Sequence, residues 1–127
     1  MTGSTQDLIE YRLNRAHETL KEAETMINNG FYNAAINRIY YACYYAISAL
    51  LLQKSVTSKT HKGIRQMFVL HYIQTGLISR EAGRFFTNLY DKRQTGDYDD
   101  FINYNLETVD VLLPKAIEFI KTIETLL

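Results

Sequence analysis

The chain has 127 residues, of which 46% are hydrophobic and 22% charged, and its formal net charge is zero. This length predicts a single domain over residues 1–127, and the composition excludes a disordered chain. No apolar run approaches the roughly 20 residues of a membrane-spanning helix, and we expect no export signal. Because Cys43 is the only cysteine, an internal disulfide is excluded and a cytoplasmic location without membrane contact is expected.

Charge is unevenly distributed along the sequence. No acidic residue occurs between Glu24 and Glu81, whereas six basic residues do: Arg38, Lys54, Lys59, Lys62, Arg65 and Arg80. A basic segment of this kind predicts a phosphate-bearing or acidic partner. The alternative is that the flanking helices fold back and neutralise this segment, and the sequence leaves both interpretations open.

The first part of the chain predicts two long helices. Apolar residues at helical spacing indicate a helix over about Thr5–Asn28, stopping at Asn29-Gly30, and a second over about Phe31–Gln53. The second helix has a wide apolar face made of Phe31, Ala35, Ile36, Ile39, Ala42, Cys43, Ala46, Ile47, Ala49 and Leu50. Its other side carries Asn33, Asn37, Tyr41, Tyr44 and Ser48, with Arg38 and Tyr45 adjoining. A helix covered on nearly all sides is central to its bundle, and this polar-aromatic side meets another helix, a second subunit or a wet groove.

The rest of the chain predicts three further helices. A polar loop over Lys54–Thr60 precedes a helix over about His61–Gln74. The next helix spans about Arg80–Thr95, with Ser79 as its cap, and Gly96 is predicted to end it.

The last helix is predicted to begin near Asp99 or Asp100, whose charges favour a helix start. Pro114 lies within the pattern, so we expect either a kink there or a true start nearer Asp110. No segment alternates as a strand does. The sequence therefore predicts an all-α fold, an antiparallel up-and-down bundle of four to five helices.

Two groups of residues carry a family resemblance. The stretch Ala35-Ile36-Asn37-Arg38-Ile39-Tyr40-Tyr41-Ala42 resembles the second-helix signature of bacterial HEPN proteins. The order and spacing of later residues resemble the same family: His61-Lys62-Gly63, Phe68, Thr75-Gly76, Leu89-Tyr90, Arg93 and Asp97-Tyr98. The resemblance covers almost the whole chain, from about Glu10 to Glu124.

The resemblance implies a HEPN-like helical bundle that forms a homodimer. It also implies a toxin–antitoxin-type module in which a minimal nucleotidyltransferase is the partner protein. Many members of the family are metal-independent endoribonucleases that use an Arg-x4–6-His motif. It implies neither a cofactor nor a bound metal, and RNA or a nucleotide would be the ligand.

The chemistry of that motif assigns candidate catalytic residues. Cleaving RNA without a metal needs a group that accepts the 2′-hydroxyl proton and a cation beside the phosphate, roles that suit histidine and arginine. Arg93 stands at the motif position, but Tyr98 occupies the place of the histidine and no histidine follows. Free tyrosine, with a pKa near 10, is a poor base at neutral pH. The sequence therefore leaves open whether this chain cleaves RNA.

Other residues are assigned supporting roles. Asp97 is a candidate for orienting Arg93, Tyr98 for donating a hydrogen bond to a phosphate, and His61 for replacing the missing base. The alternatives are an ion pair of Arg93 with Asp97 or Asp91, and a structural or helix-capping role for His61. Phosphate contacts are assigned to Arg38, Lys59, Lys62 and Arg65. The rival hypothesis for the whole chain is a non-catalytic dimerisation or interaction module.

Overall fold

The computed structural model describes residues 4–127, and within that range it contains five α-helices and no strand. The helices are α1 (Thr5–Asn28), α2 (Tyr32–Leu52), α3 (His61–Phe68), α4 (Arg80–Tyr98) and α5 (Leu106–Glu124). They form the predicted antiparallel bundle, in which α2 packs against each of the other four. None of the described helices is long and apolar enough to cross a bilayer.

The predicted bounds of α1 are confirmed, and local capping explains them. The Ser4 side chain accepts a hydrogen bond from the Asp7 main-chain N–H, and the Asp7 carboxylate accepts one from the Ser4 N–H. This reciprocal pair satisfies two main-chain donors at the helix start. The chain then turns at Gly30, whose φ of +78° is in the left-handed region that glycine adopts without strain. The turn brings α2 back along α1.

The prediction that α2 is central is confirmed. Its apolar face is fully covered, apart from Phe31, which lies just before the helix and is 60% exposed. Four residues of α2 outside the predicted face are also buried: Tyr40, Ser48, Leu51 and Leu52. Small side chains at Ala35, Ala42 and Ala46 are completely buried, which allows neighbouring helices to approach the α2 backbone closely.

The predicted third helix is present, but its hydrogen bonding changes partway. Thr60 caps α3 by accepting a hydrogen bond from the Gly63 N–H at 2.9 Å, so the capping role that we considered for His61 is wrong. After Phe68 the chain continues as a π-helical segment, Val69–Ile73. Such segments insert an extra residue into a helical turn, which sequence periodicity does not reveal.

The predicted end of α4 at Gly96 is wrong, because the helix continues to Tyr98. A helical glycine costs only about 1 kcal/mol relative to alanine, so tertiary packing readily overrides it. Because Gly96 has no side chain, the ring of Tyr104 from the following loop can pack against the helix. A Cβ atom at Gly96 would lie 3.0 Å from Cε2 of Tyr104.

The predicted starts of α5 near Asp99, Asp100 or Asp110 are also wrong. The helix begins at Leu106, where the Asn105 side chain accepts a hydrogen bond from the Thr108 N–H at 3.0 Å. Asp99 and Asp100 lie in the turn after α4, at least six residues before Leu106 and therefore outside the first turn of α5, where a helix-dipole effect would act. Pro114 lies inside α5, where it removes one main-chain donor.

The loop between α4 and α5 is held on α2 by one side chain. Asn33 Nδ2 donates to the main-chain carbonyls of Gly96 at 3.2 Å and Ile102 at 2.8 Å. The Tyr104 N–H donates to Asn33 Oδ1 at 2.9 Å. The amide of Asn33 thus hydrogen-bonds three main-chain groups, one near the end of α4 and two in the loop that follows.

We expect Asn33→Ala to lower the free energy of unfolding by about 1–3 kcal/mol, because partly buried main-chain groups lose their partners. Urea unfolding followed by circular dichroism measures the change. The matched control is Asn88→Ala on the exposed side of α4, where a change within about 0.5 kcal/mol is expected. Equal destabilisation by the two variants would contradict the role of Asn33.

Candidate functional site

The most unusual group in the core is the guanidinium of Arg93 on α4, whose residue is only 5% exposed. Its Cζ atom lies 4.9 Å from the ring centroid of Tyr40 and 5.4 Å from those of Tyr41 and Tyr90. Aromatic faces attract a cation, and the attraction strengthens where water is excluded. We refer to Tyr40, Tyr41 and Tyr90 as the tyrosine cage.

The polar contacts of Arg93 compensate its charge only in part. Nη1 donates to the Gln94 side chain at 3.0 Å and lies 3.6 Å from an Asp97 carboxylate oxygen. This confirms the ion pair that the sequence suggested as an alternative. Nε is buried and has no hydrogen-bond partner among residues 4–127. An unpaired donor on a buried cation is costly, and such groups concentrate at functional sites.

The fold places His61, the first residue of α3, against the same cage. Its Nδ1 lies 2.7 Å from the Tyr40 hydroxyl, and its ring centroid lies 4.7 Å from that of Tyr44. His61 also faces Tyr41 and Tyr90. Burial, and secondly the positive charge of Arg93, lowers the pKa of His61 below its ordinary value. His61 is therefore a neutral imidazole near pH 7.

Tyr40 joins the two candidate residues, and sequence reasoning did not assign it to the apolar face. Its ring contacts Arg93 and its hydroxyl contacts His61. Burial raises the pKa of Tyr40, with the charge of Arg93 opposing the shift, so the hydroxyl stays protonated. A signal was present in the sequence, since Tyr40 lies four residues after Ile36 and three before Cys43, on the apolar face.

A chain of polar contacts leads from the cage to the surface. The Asp97 carboxylate accepts a hydrogen bond from Asn37 Nδ2 at 2.9 Å. Asn37 Oδ1 in turn accepts from Arg38, whose Nη1 lies 3.2 Å from the Glu22 carboxylate. The polar side of α2 therefore meets α4 and α1 through paired groups, as its position between helices requires.

The remaining predicted site residues lie at different distances from the cage. Arg38 and Arg65 stack on its outer side, with Cζ 5.3 Å from the Tyr41 centroid and 5.0 Å from the Tyr90 centroid. Lys59 and Lys62 are exposed beside the start of α3. Tyr98 is 72% exposed and makes no aromatic contact with the cage in the described chain. The structure therefore brings His61, rather than Tyr98, to Arg93.

The structure answers how far the basic segment is neutralised. Arg38 is paired with Glu22. Within residues 4–127, none of Lys59, Lys62 and Arg65 forms an ion pair with an acidic side chain. Internal neutralisation thus reaches Arg38 but not the start of α3, where positive charge and the helix N-terminus coincide.

A separate groove of about 610 Å³ lies between α4 and α5 and is lined by Arg84, Phe85, Lys115 and Phe119 among others. It contains neither His61 nor Arg93, and its lining holds no buried unpaired polar group. No cluster of three or more His, Cys, Asp or Glu side chains suited to a metal ion occurs in the described range. The tyrosine cage with His61 and Arg93 is therefore the candidate functional site.

Comparisons with known proteins give a family match, similar sequences and a similar fold. The HEPN domain family model matches residues 9–126. A UPF0332 protein of Thermotoga maritima is 36% identical over 122 residues, covering 96% of this chain and 92% of that protein. A protein of Methanocaldococcus jannaschii named "Putative toxin MJ0142" is 35% identical over 108 residues, covering 85% and 74%. The crystal structure of TT1696 from Thermus thermophilus superposes on this chain with a TM-score of 0.80, covering 94% of this chain and 98% of that one. The sequence identity is 17%, so this similarity is one of fold.

The lowered pKa of His61 predicts a pH-dependent stability. Unfolded histidine takes up its proton near pH 6.5, whereas folded His61 does so only at lower pH. The unfolded state then binds more protons, so the free energy of unfolding falls as pH drops through about 6.5 towards the folded pKa. The stabilisation that comes from keeping His61 neutral is therefore fully present above about pH 6.5.

Nuclear magnetic resonance titration of the His61 ring protons measures the pKa directly, and we expect a value below 6.5. Thermal unfolding across the same pH range should show a shallower pH dependence in His61→Gln than in the unmodified protein. A His61 pKa at or above the ordinary value would contradict the described burial beside Arg93.

Proposed function

Because this chain belongs to the HEPN domain family, we propose that it is a toxin-type RNA-binding protein that cleaves RNA without a metal at His61 and Arg93. The observation that carries the proposal is the shared contact with Tyr40, whose hydroxyl meets His61 and whose ring meets Arg93. The two residues are far apart in sequence, so the fold alone unites an imidazole with a permanent cation.

His61 has the properties of a general base. In the tautomer in which Nδ1–H donates to the Tyr40 hydroxyl oxygen, Nε2 carries no proton and is free to take that of an RNA 2′-hydroxyl. The 2′-oxygen then forms a bond to phosphorus while the bond to the 5′-oxygen breaks, and water supplies the proton for the leaving oxygen. The products are a 2′,3′-cyclic phosphate and a free 5′-hydroxyl.

Arg93 supplies charge and Tyr40 supplies orientation. Negative charge increases on the phosphorus-bound oxygens in the transition state, and a fixed cation in surroundings from which water is excluded stabilises it. Burial, with the charge of Arg93 adding to its effect, lowers the pKa of His61 and so favours the neutral imidazole that a base requires. Tyr40 acts through His61 and is a positioning residue.

The basic residues at the start of α3 support phosphate binding. Lys59 and Lys62 are exposed and free of acidic partners in the described chain, and α3 begins between them. A helix N-terminus carries a partial positive charge and lysines carry a full one, so both attract the negative charge of a phosphate. We assign the phosphates flanking the cleaved bond to these lysines, with Arg65 and Arg38 at the cage rim.

The assembly is part of the proposal. We propose a homodimer with two-fold symmetry, the commonest closed arrangement, and a minimal nucleotidyltransferase as the partner protein. The toxin names of relatives support the toxin-type assignment. The second candidate function is a non-catalytic interaction module, which the near-complete burial of Arg93 and its pairing with Asp97 favour.

The cleavage assay uses single-stranded RNA in the presence of EDTA. We expect His61→Gln to lower the single-turnover rate about 10²- to 10⁴-fold, the contribution typical of a general base. Tyr40→Phe keeps the ring and loses the hydroxyl, so we expect a fall of about tenfold in rate with little change in RNA affinity. The matched control is His71→Gln, which should cleave as the unmodified protein does.

Two outcomes would contradict this assignment. Absence of cleavage in the unmodified protein, with RNA binding retained, would support the interaction module. Faster cleavage by Tyr98→His than by the unmodified protein would place the acid–base group at position 98 and not at His61. Circular dichroism of each variant confirms that the bundle is intact.

Binding to phosphate is tested separately from cleavage. We expect Lys59→Glu/Lys62→Glu to weaken RNA binding and to reduce the slope of log affinity against log salt by about 0.7 for each phosphate that the variant no longer binds. The control Lys115→Glu/Lys121→Glu makes the same charge change on α5, and its affinity should stay close to that of the unmodified protein. Equal losses of affinity in both variants would mean that only net charge matters.

A further inference from the structure

A row of tyrosines continues from His61 along the surface of α2, beyond the residues used above. The Tyr44 ring lies 4.7 Å from the His61 ring. The ring centroids of Tyr44 and Tyr45 are 6.1 Å apart, and that of Tyr41 lies 5.9 Å from Tyr44. All three tyrosines are half-buried.

Arginines from α1 lie beside this row. Arg15 Cζ is 5.2 Å from the Tyr45 ring centroid. Arg12 Nη1 donates to the Ser48 main-chain carbonyl at 3.4 Å, and its positive charge opposes the rise in the pKa of Tyr44 that burial causes. Arg38 stacks on Tyr41 at the other end. Arginine side chains therefore lie beside the tyrosine rings where α1 packs on α2.

We infer that Tyr44, Tyr45, Arg12 and Arg15 form a subsite for unpaired nucleotides next to the bond that is cleaved. Exposed aromatic faces stack on any base, and neighbouring arginines contact the backbone phosphates. We name these four residues the stacking subsite. The inference rests on the proposed function and specifies its substrate as single-stranded RNA.

The chemistry of the subsite favours a single strand over a duplex or a second copy of the chain. Bases within a duplex are stacked on one another and offer no free face to Tyr44 or Tyr45. Two arginines stack on rings of the row. Arg15 is paired with Glu18 and Arg38 with Glu22. Glu18 is 61% exposed where it pairs with Arg15, so a phosphate can replace it at little cost.

The experiment compares three ligands by fluorescence anisotropy: a short single-stranded RNA, the matching RNA duplex, and an abasic strand of the same length. The unmodified protein should bind the single strand more tightly than the other two. We expect Tyr44→Leu and Tyr45→Leu each to weaken single-strand binding by about five- to hundredfold, the range for loss of one stacked base. Their affinity for the abasic strand should not change.

Conservative variants separate stacking from packing. Tyr45→Phe keeps the aromatic face, so its affinity for the single strand should match that of the unmodified protein. Arg15→Gln should weaken binding of the single strand and of the abasic strand equally, while Arg15→Lys keeps most of the affinity. This arginine pair provides the test if Tyr45→Leu does not fold by circular dichroism.

Three results would overturn the inference. Unchanged binding in Tyr44→Leu, Tyr45→Leu and Arg15→Gln, with weaker binding in Lys59→Glu/Lys62→Glu, would remove the stacking subsite and leave the proposed function standing. If Tyr44→Leu or Tyr45→Leu sediments as a monomer where the unmodified protein is a dimer, and its RNA affinity is unchanged, the surface is a contact between two copies of the chain. No RNA binding by the unmodified protein would remove the proposed function and the subsite together.

Discussion

A guanidinium that stays charged at any physiological pH lies inside this bundle, and the surrounding residues accommodate it. Arginine cannot escape burial by losing its proton, so its charge must be balanced by nearby groups. The bundle supplies one carboxylate, Asp97, and three aromatic faces. This arrangement leaves one donor, Nε, without a partner among the described residues. If position 93 served only to stabilise the fold, an apolar side chain of the same size would do so without a buried charge.

The cage explains the composition of α2. A central helix with neighbours on every side is expected to be uniformly apolar, yet successive turns of α2 carry Tyr40, Tyr41, Tyr44 and Tyr45. The rings of Tyr40 and Tyr41 contact Arg93, and Tyr44 packs against His61. Tyrosine suits such positions because its ring fills a core while its hydroxyl bonds a polar neighbour.

The electrostatics divide two tasks between separate residues. Arg93 adds to the effect of burial in lowering the pKa of His61, and it is itself withdrawn from solvent, so it contributes little to attracting a distant ligand. The exposed lysines at the start of α3, Lys59 and Lys62, create the field that reaches solvent. In the proposed function, binding would therefore depend strongly on salt, whereas the cleavage step would depend on the buried groups and on pH.

Local residue chemistry determined the number, type and starts of most helices. Ser4 and Ser79 cap α1 and α4 close to where the sequence predicts those helices to begin, because a cap needs only groups within three residues. The end of α4 was decided by tertiary structure, since the fit of Tyr104 over Gly96 keeps that glycine helical. The start of α5 has a local cap, Asn105, which the sequence analysis did not identify. The sequence also singled out His61 and Arg93 one by one. Their meeting at Tyr40 was decided by the packing of α2, α3 and α4, because no local periodicity encodes contacts between residues so distant in the chain.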